Sequence, residues 1–214
     1  MIKLREPLNA LTHATGILLS LVGLVWLLIE AARSHSGLHL AGALVFGLSL
    51  IALYTASTLY HGLPVSPKMV QILRRVDHTM IYVLIAGTYT PICLVTLKGS
   101  MGWWLFGIVW GLAVTGIVLK LVWTKAPRWL YTAFYVILGW LAIFFIVPLF
   151  KALPFTGFLW LVGGGILYTI GAVVYALKPP QFQIGRIGFH EIFHLFILAG
   201  SGAHFLVVSQ YVLI

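Results

Sequence analysis

The chain has 214 residues, of which 61% are hydrophobic and only 8% charged, with a formal net charge of +9. A soluble domain of this size carries roughly 25% charged residues, so the composition points to a polytopic membrane protein and excludes a water-soluble enzyme. A net positive balance would suggest nucleic acid in a soluble protein; here the basic residues fall between apolar segments, where they set topology and face anionic headgroups, and no nucleic-acid partner is expected.

Seven apolar segments follow one another, each near the ~20 residues a bilayer requires. They run Asn9–Ala32, Leu38–Leu63, Val76–Leu97, Met101–Trp123, Arg128–Phe150, Thr156–Leu177 and Ile187–Tyr211. Lys3 and Arg5 ahead of the first run imitate a signal peptide. The stretch from Leu8 to Ile29 is longer than a signal core of ~7–15 residues, however, and no small-x-small cleavage site follows, so it is expected to be a retained span. The connectors are short and rich in breakers, such as Pro64-Val65-Ser66-Pro67, Lys98-Gly99-Ser100 and Lys178-Pro179-Pro180. The expected architecture is an all-α, seven-transmembrane helix bundle forming a single domain over residues 1–214, in the cell membrane. The lone cysteine, Cys93, excludes an internal disulfide and a cysteine-rich metal site. It reads as a small buried apolar residue.

Orientation follows from the distribution of Lys and Arg. Lys3, Arg5, Lys68, Arg74, Arg75, Lys120, Lys125, Arg128, Lys178 and Arg186 fall on one side, and Arg33, Lys98 and Lys151 on the other. This predicts a cytoplasmic N-terminus and an outward C-terminus. Small residues at helix-packing spacing (Gly107 and Gly111, Gly163-Gly164-Gly165, Gly200 and Gly202) are read first as contacts within the bundle, with homodimerisation as the lesser alternative.

The rare polar residues of the spans concentrate at one membrane depth. Given that orientation, the cytoplasmic ends of four spans carry Glu6, Asn9 and His13; Ser57 and His61; Asp77 and His78; and His190, Glu191 and His194. Ionisable groups inside a membrane are costly and usually functional. His190 and His194 are four apart, one turn above one another on a helix face, and both imidazoles can reach a single metal ion. A catalytic zinc commonly takes three protein ligands and keeps one position open. His61, ending the second span at matching depth, is the natural third. Ser57, one turn deeper on the same face, can orient a ligand or water, and Asp77 is placed to act as base on that water. Glu6, Asn9 and His13 share a face and are either partners of the ligands or a polar helix start. Glu191 either neutralises the metal or, in the formal His190-Glu191-x-x-His194 motif, is the base of a zincin-type protease. His35, His39, His78 and His204 are expected to be interfacial or core residues, and Asp77 beside Arg74 and Arg75 has the plainer reading of an ion pair.

Together, Glu6-Pro7-x-Asn9-x-x-x-His13, Ser57-x-x-x-His61, Asp77 after an arginine pair, Ala86-Gly87-Thr88-Tyr89-Thr90-Pro91 and His190-x-x-x-His194 resemble the haemolysin III branch of the progestin and adipoQ receptor family over nearly the whole chain. The resemblance implies a zinc ion near the cytoplasmic face, held by His61, His190 and His194, with Asp77 on its water. It also implies kinship with alkaline ceramidases, a lipid-amide hydrolase activity, and roles in haemolysis and membrane-lipid homeostasis; animal relatives act as receptors. The long cytoplasmic N-terminal region of the adiponectin receptors has no counterpart in the sequence, which argues against protein-partner signalling. The expected partners are membrane lipids and a lipid-like substrate with an acyl chain. The competing expectation is non-enzymatic: a pore-forming cytolysin or a receptor with structural zinc.

Overall fold

The computed structural model describes residues 4–123, 126–177 and 187–213. Its elements are all helical: α1 (Pro7–Arg33), α2 (Gly37–Gly62), α3 (Pro67–Pro91, continued by a π-turn over Ile92–Thr96), α4 (Gly99–Val122), α5 (Arg128–Gly139), α6 (Ile146–Ala152), α7 (Phe155–Leu177) and α8 (Phe189–Val207, continued by a π-turn over Val208–Val212). Among the described residues seven helical spans are long and apolar enough to cross a membrane, α5 and α6 together forming the fifth. Lys3, Lys125, Lys178 and Arg186 of the charge count, and the Lys178-Pro179-Pro180 connector, lie outside the described residues.

α3 is the central helix: 72% of its most apolar window is buried, against 17% for the α5–α6 span. The outer helices turn large apolar side chains outward, among them Leu18, Val22, Trp104 and Phe144, as a lipid-facing surface requires. Two boundaries differ from the sequence expectation. α3 begins at Pro67, not near Val76, with Ser66 accepting a hydrogen bond from the Met69 amide as N-cap. Its first turns carry exposed Lys68, Arg74 and Arg75, so those cations sit on a helix and not in a loop. Asp77 therefore lies about 15 Å along α3 from its start.

The fifth span is broken, with a 3₁₀ segment over Trp140–Phe145 between α5 and α6. The Tyr89 hydroxyl of α3 enters the break, donating to the Gly139 carbonyl at 2.6 Å and accepting from the Ala142 amide at 2.8 Å. Backbone groups freed inside a membrane need such a partner. Pro148 adds to the break by removing a donor and crowding the preceding turn.

The rest of the Ala86–Pro91 motif is equally structural. Gly87 lets α2 approach, since a Cβ there would come within 2.6 Å of the Ser49 Cβ. Thr90 accepts from Trp110 Nε1 of α4 at 3.1 Å. Pro91 leaves the last turns without a regular donor, and the chain widens into a π-turn. Gly164 and Gly200 pack against neighbouring helices, whereas Gly107, Gly111, Gly163 and Gly202 face open space, so packing within the bundle accounts for only part of the small-residue pattern.

Candidate metal centre

The end of α2 meets the start of the chain. A helix C-terminus leaves its last carbonyls without intrahelical donors, and the strap before α1 supplies them. The Arg5 amide donates to the Gly62 carbonyl at 3.3 Å and the Glu6 amide to the His61 carbonyl at 2.9 Å. The Arg5 guanidinium donates to the Tyr60 carbonyl and lies over the Tyr60 ring. This clamp sets Glu6 Oε2 2.5 Å from His61 Nδ1, with Asn9 Nδ2 donating to the same oxygen at 3.4 Å. A carboxylate accepts, so the His61 proton sits on Nδ1 and its Nε2 lone pair points away from Glu6.

α8 delivers the other two histidines. Its first turn is closed by Glu191 Oε2, which accepts the Gly188 amide at 2.9 Å. Glu191 is thus turned back onto the backbone and does not join the histidine cluster. His194 is fixed from α1: Thr12 Oγ1 lies 3.3 Å from His194 Nδ1 and gives its own proton to a main-chain carbonyl, that of Asn9 at 2.9 Å. His194 Nδ1–H therefore donates to Thr12, and its Nε2 is the lone-pair nitrogen. His61 Nε2 and His190 Nε2 are 3.2 Å apart. The ligand nitrogens of His61, His190 and His194 all lie within 4.8 Å of one another, and His61 and His194 are each only 1% exposed.

These residues fit a zinc ion. Two nitrogens bound at 2.0–2.1 Å to a tetrahedral zinc are separated by about 3.3 Å, close to the His61–His190 spacing. Lone pairs of two neutral imidazoles aimed at one region repel unless a cation lies between them, and the outer nitrogens of His61 and His194 are already committed to Glu6 and Thr12.

Asp77 and Ser57 share a cavity with His190 and His194. Asp77 is 9% exposed and, among the described residues, forms no ion pair within 4.0 Å; Arg74 and Lys120 act on it only at longer range. Its carboxylate does not belong to the three-histidine group, a placement suited to acting through water. Ser57 stands beside Asp77 but makes no well-aligned hydrogen bond. His13 stacks on His194 with ring centres 3.7 Å apart and an angle of 8°, and both its nitrogens are buried without a hydrogen-bond partner among the described residues. Glu30 stands apart, paired with Arg33 at 2.9 Å.

Thr12, the partner of His194, was not singled out in the sequence, nor were Tyr135 and Tyr175. His78, expected to be an interfacial or core residue, is 5% exposed and lines the cavity; it meets the Tyr175 hydroxyl through Nε2 at 3.3 Å, while its carbonyl accepts from the Tyr135 hydroxyl at 3.0 Å. The cavity, about 130 Å³, runs from the histidines past Thr88 and Tyr168 to His204. A second one of about 70 Å³ shares His204, Tyr89 and Trp140 with it and continues to Leu149 and Phe158.

Seven spans with a largely apolar cavity between them, into which a few histidines, Asp77 and Ser57 project, define a multi-pass membrane protein of the cell membrane with a candidate metal centre. The family model described as "Haemolysin-III related" matches residues 1–205, and the chain belongs to the haemolysin III family. It is 44% identical over 206 residues to the "Hemolysin-3 homolog" of Bacillus subtilis (strain 168), covering 96% of this chain and 93% of that one. It is 40% identical over 208 residues to the "Hemolysin-3" of Bacillus cereus, covering 97% and 92%. A more distant likeness, 26% over 211 residues covering 95% and 82%, is to the human "Monocyte to macrophage differentiation factor".

Proposed function

We propose that this protein is a zinc-dependent intramembrane hydrolase that cleaves amide or ester bonds of membrane lipids and serves lipid homeostasis, with its N-terminus and metal centre toward the cytoplasm. The observation that carries this reading is the convergence of three histidine nitrogens, two with their protons held on the outward side, of which His190 and His194 share a cavity with the buried Asp77 carboxylate. His61, His190 and His194 would hold the ion. Zinc in such a site supplies Lewis acidity at one open position. Asp77 takes the proton of the attacking water and returns it to the leaving amine or alkoxide. Ser57, whose hydroxyl is left without a well-aligned partner among the described residues, orients a ligand or the attacking water, His13 walls the site against His194, and the apolar cavity receives the acyl chain and excludes bulk water.

The test is metal analysis together with fatty-acid release from ceramide and phospholipid by purified protein. His190→Ala should lose both zinc and turnover. Asp77→Asn should keep zinc and lose turnover by a factor of about 10²–10⁴, while Glu191→Gln keeps both. Full turnover in Asp77→Asn with loss in Glu191→Gln would instead make Glu191 the base.

The name of the Bacillus cereus relative, "Hemolysin-3", favours a second reading, a pore-forming cytolysin with structural zinc. Lysis of liposomes by the Asp77→Asn form at the wild-type rate would support it over hydrolysis.

A further inference from the structure

His204 sits in α8 ten residues beyond His194 (204 − 194), about 15 Å along the helix axis. It is 7% exposed and lines both cavities where they adjoin. Its Nδ1 is 2.9 Å from the Gly200 carbonyl. A carbonyl only accepts, so Nδ1 carries the proton and Nε2 of the neutral ring is an acceptor. Nε2 has no hydrogen bond to any described residue, and it is not among the sealed-off polar atoms of the interior, so it opens on the cavity.

Three features hold the ring in this pose. The first is the bond to Gly200. The second is the Tyr168 ring, stacked at 5.2 Å and 22°. Tyr168 is itself kept in place by a 2.8 Å hydrogen bond between its hydroxyl and Ser201 Oγ, which also accepts from Tyr54 at 2.7 Å. The third is Gly164, where any Cβ would collide with the imidazole. Nearby polar side chains are already engaged: Thr88 with the Leu84 carbonyl, Thr169 with the Gly165 carbonyl and Trp140 Nε1, and Tyr89 with the α5 break. A pre-oriented acceptor is thus left in an otherwise apolar passage, and an unmet acceptor there is costly once lipid displaces water.

We propose that His204 is a second recognition point for the lipid, accepting a hydrogen bond from a hydroxyl carried at mid-chain about 15 Å from the metal centre. The cavity then prefers hydroxylated acyl chains to plain ones. This depends on the hydrolase reading only for the view that an acyl chain is the occupant.

The experiment is competition binding on the purified full chain in detergent, with and without added zinc. A fluorescent fatty acid is displaced by stearate, by stearate hydroxylated at mid-chain, or by stearate hydroxylated beside the carboxylate. The mid-chain hydroxy acid should bind about tenfold more tightly than the other two. His204→Leu should abolish that preference while leaving stearate affinity in place, and His204→Gln, which keeps an acceptor, should restore part of it. Equal affinities of the three acids for the wild-type chain would overturn the proposal, as would failure of all three to displace the probe or a preference that survives in His204→Leu. If His204→Leu does not fold, as judged by thermal melting, the wild-type comparison decides alone. Binding is read without turnover, so loss of the preference leaves the hydrolase reading standing, and absence of hydrolysis leaves the hydroxyl preference standing.

Discussion

Glu6 and Thr12 touch the candidate metal centre without belonging to its three-histidine group. Each takes the outer N–H of one histidine, at 2.5 Å and 3.3 Å respectively, which fixes the tautomer that presents Nε2 inward. Losing such an outer partner typically costs 10–100-fold in metal affinity. Glu6→Gln is therefore expected to weaken zinc binding by about that factor, and Thr12→Val by somewhat less, as measured by competition with a chelating dye. Unchanged affinity in both variants would show that the histidines are oriented by packing alone. The meeting of His61, His190 and His194 could be read in the chain because a four-residue histidine spacing in an apolar helix has few structural uses. Thr12 could not: a threonine in a helix normally bonds back to its own carbonyls, and only the fold shows that its oxygen also faces α8.

At the scale of elements, the Ala86–Pro91 motif organises three helices around α3. Tyr89 is its most exposed test. Tyr89→Phe leaves the Gly139 carbonyl and the Ala142 amide without their partner, at a cost of about 1–3 kcal/mol for an unmet buried group. The expected result is a lower melting temperature in detergent with zinc content unchanged; a melting curve superimposable on wild type would mean that the broken helix re-pairs on its own. The seven spans were legible because hydropathy alone marks them. The start of α3 was not, because Lys68, Arg74 and Arg75 interrupt the apolar run although the helix continues through them. Nor was the break in the fifth span, where the freed backbone groups are met by a hydroxyl fifty residues away.

For the molecule as a whole, the proposed orientation can be checked directly because Cys93 is buried and interferes little with thiol labelling. Single cysteines replacing Ser36, in the α1–α2 turn, and Ser66, before α3, lie at opposite ends of α2. Impermeant maleimide added to intact cells should label Ser36→Cys and not Ser66→Cys, with the reverse pattern in inverted vesicles. The opposite labelling would place the histidines on the outer side and would remove the cytoplasmic site from the hydrolase reading.

The strap of Arg5 and Glu6 has one further consequence. The strap that satisfies the last carbonyls of α2 also brings Glu6 onto the His61 proton, so on the proposed zinc reading ion occupancy and docking of this strap are thermodynamically linked. Chelation should let the main-chain hydrogens of Arg5 and Glu6 trade with deuterium sooner than those of the α2 interior. By reciprocity, a bulky fusion that tugs this segment loose should shorten the residence time of the ion, without touching any of its ligands.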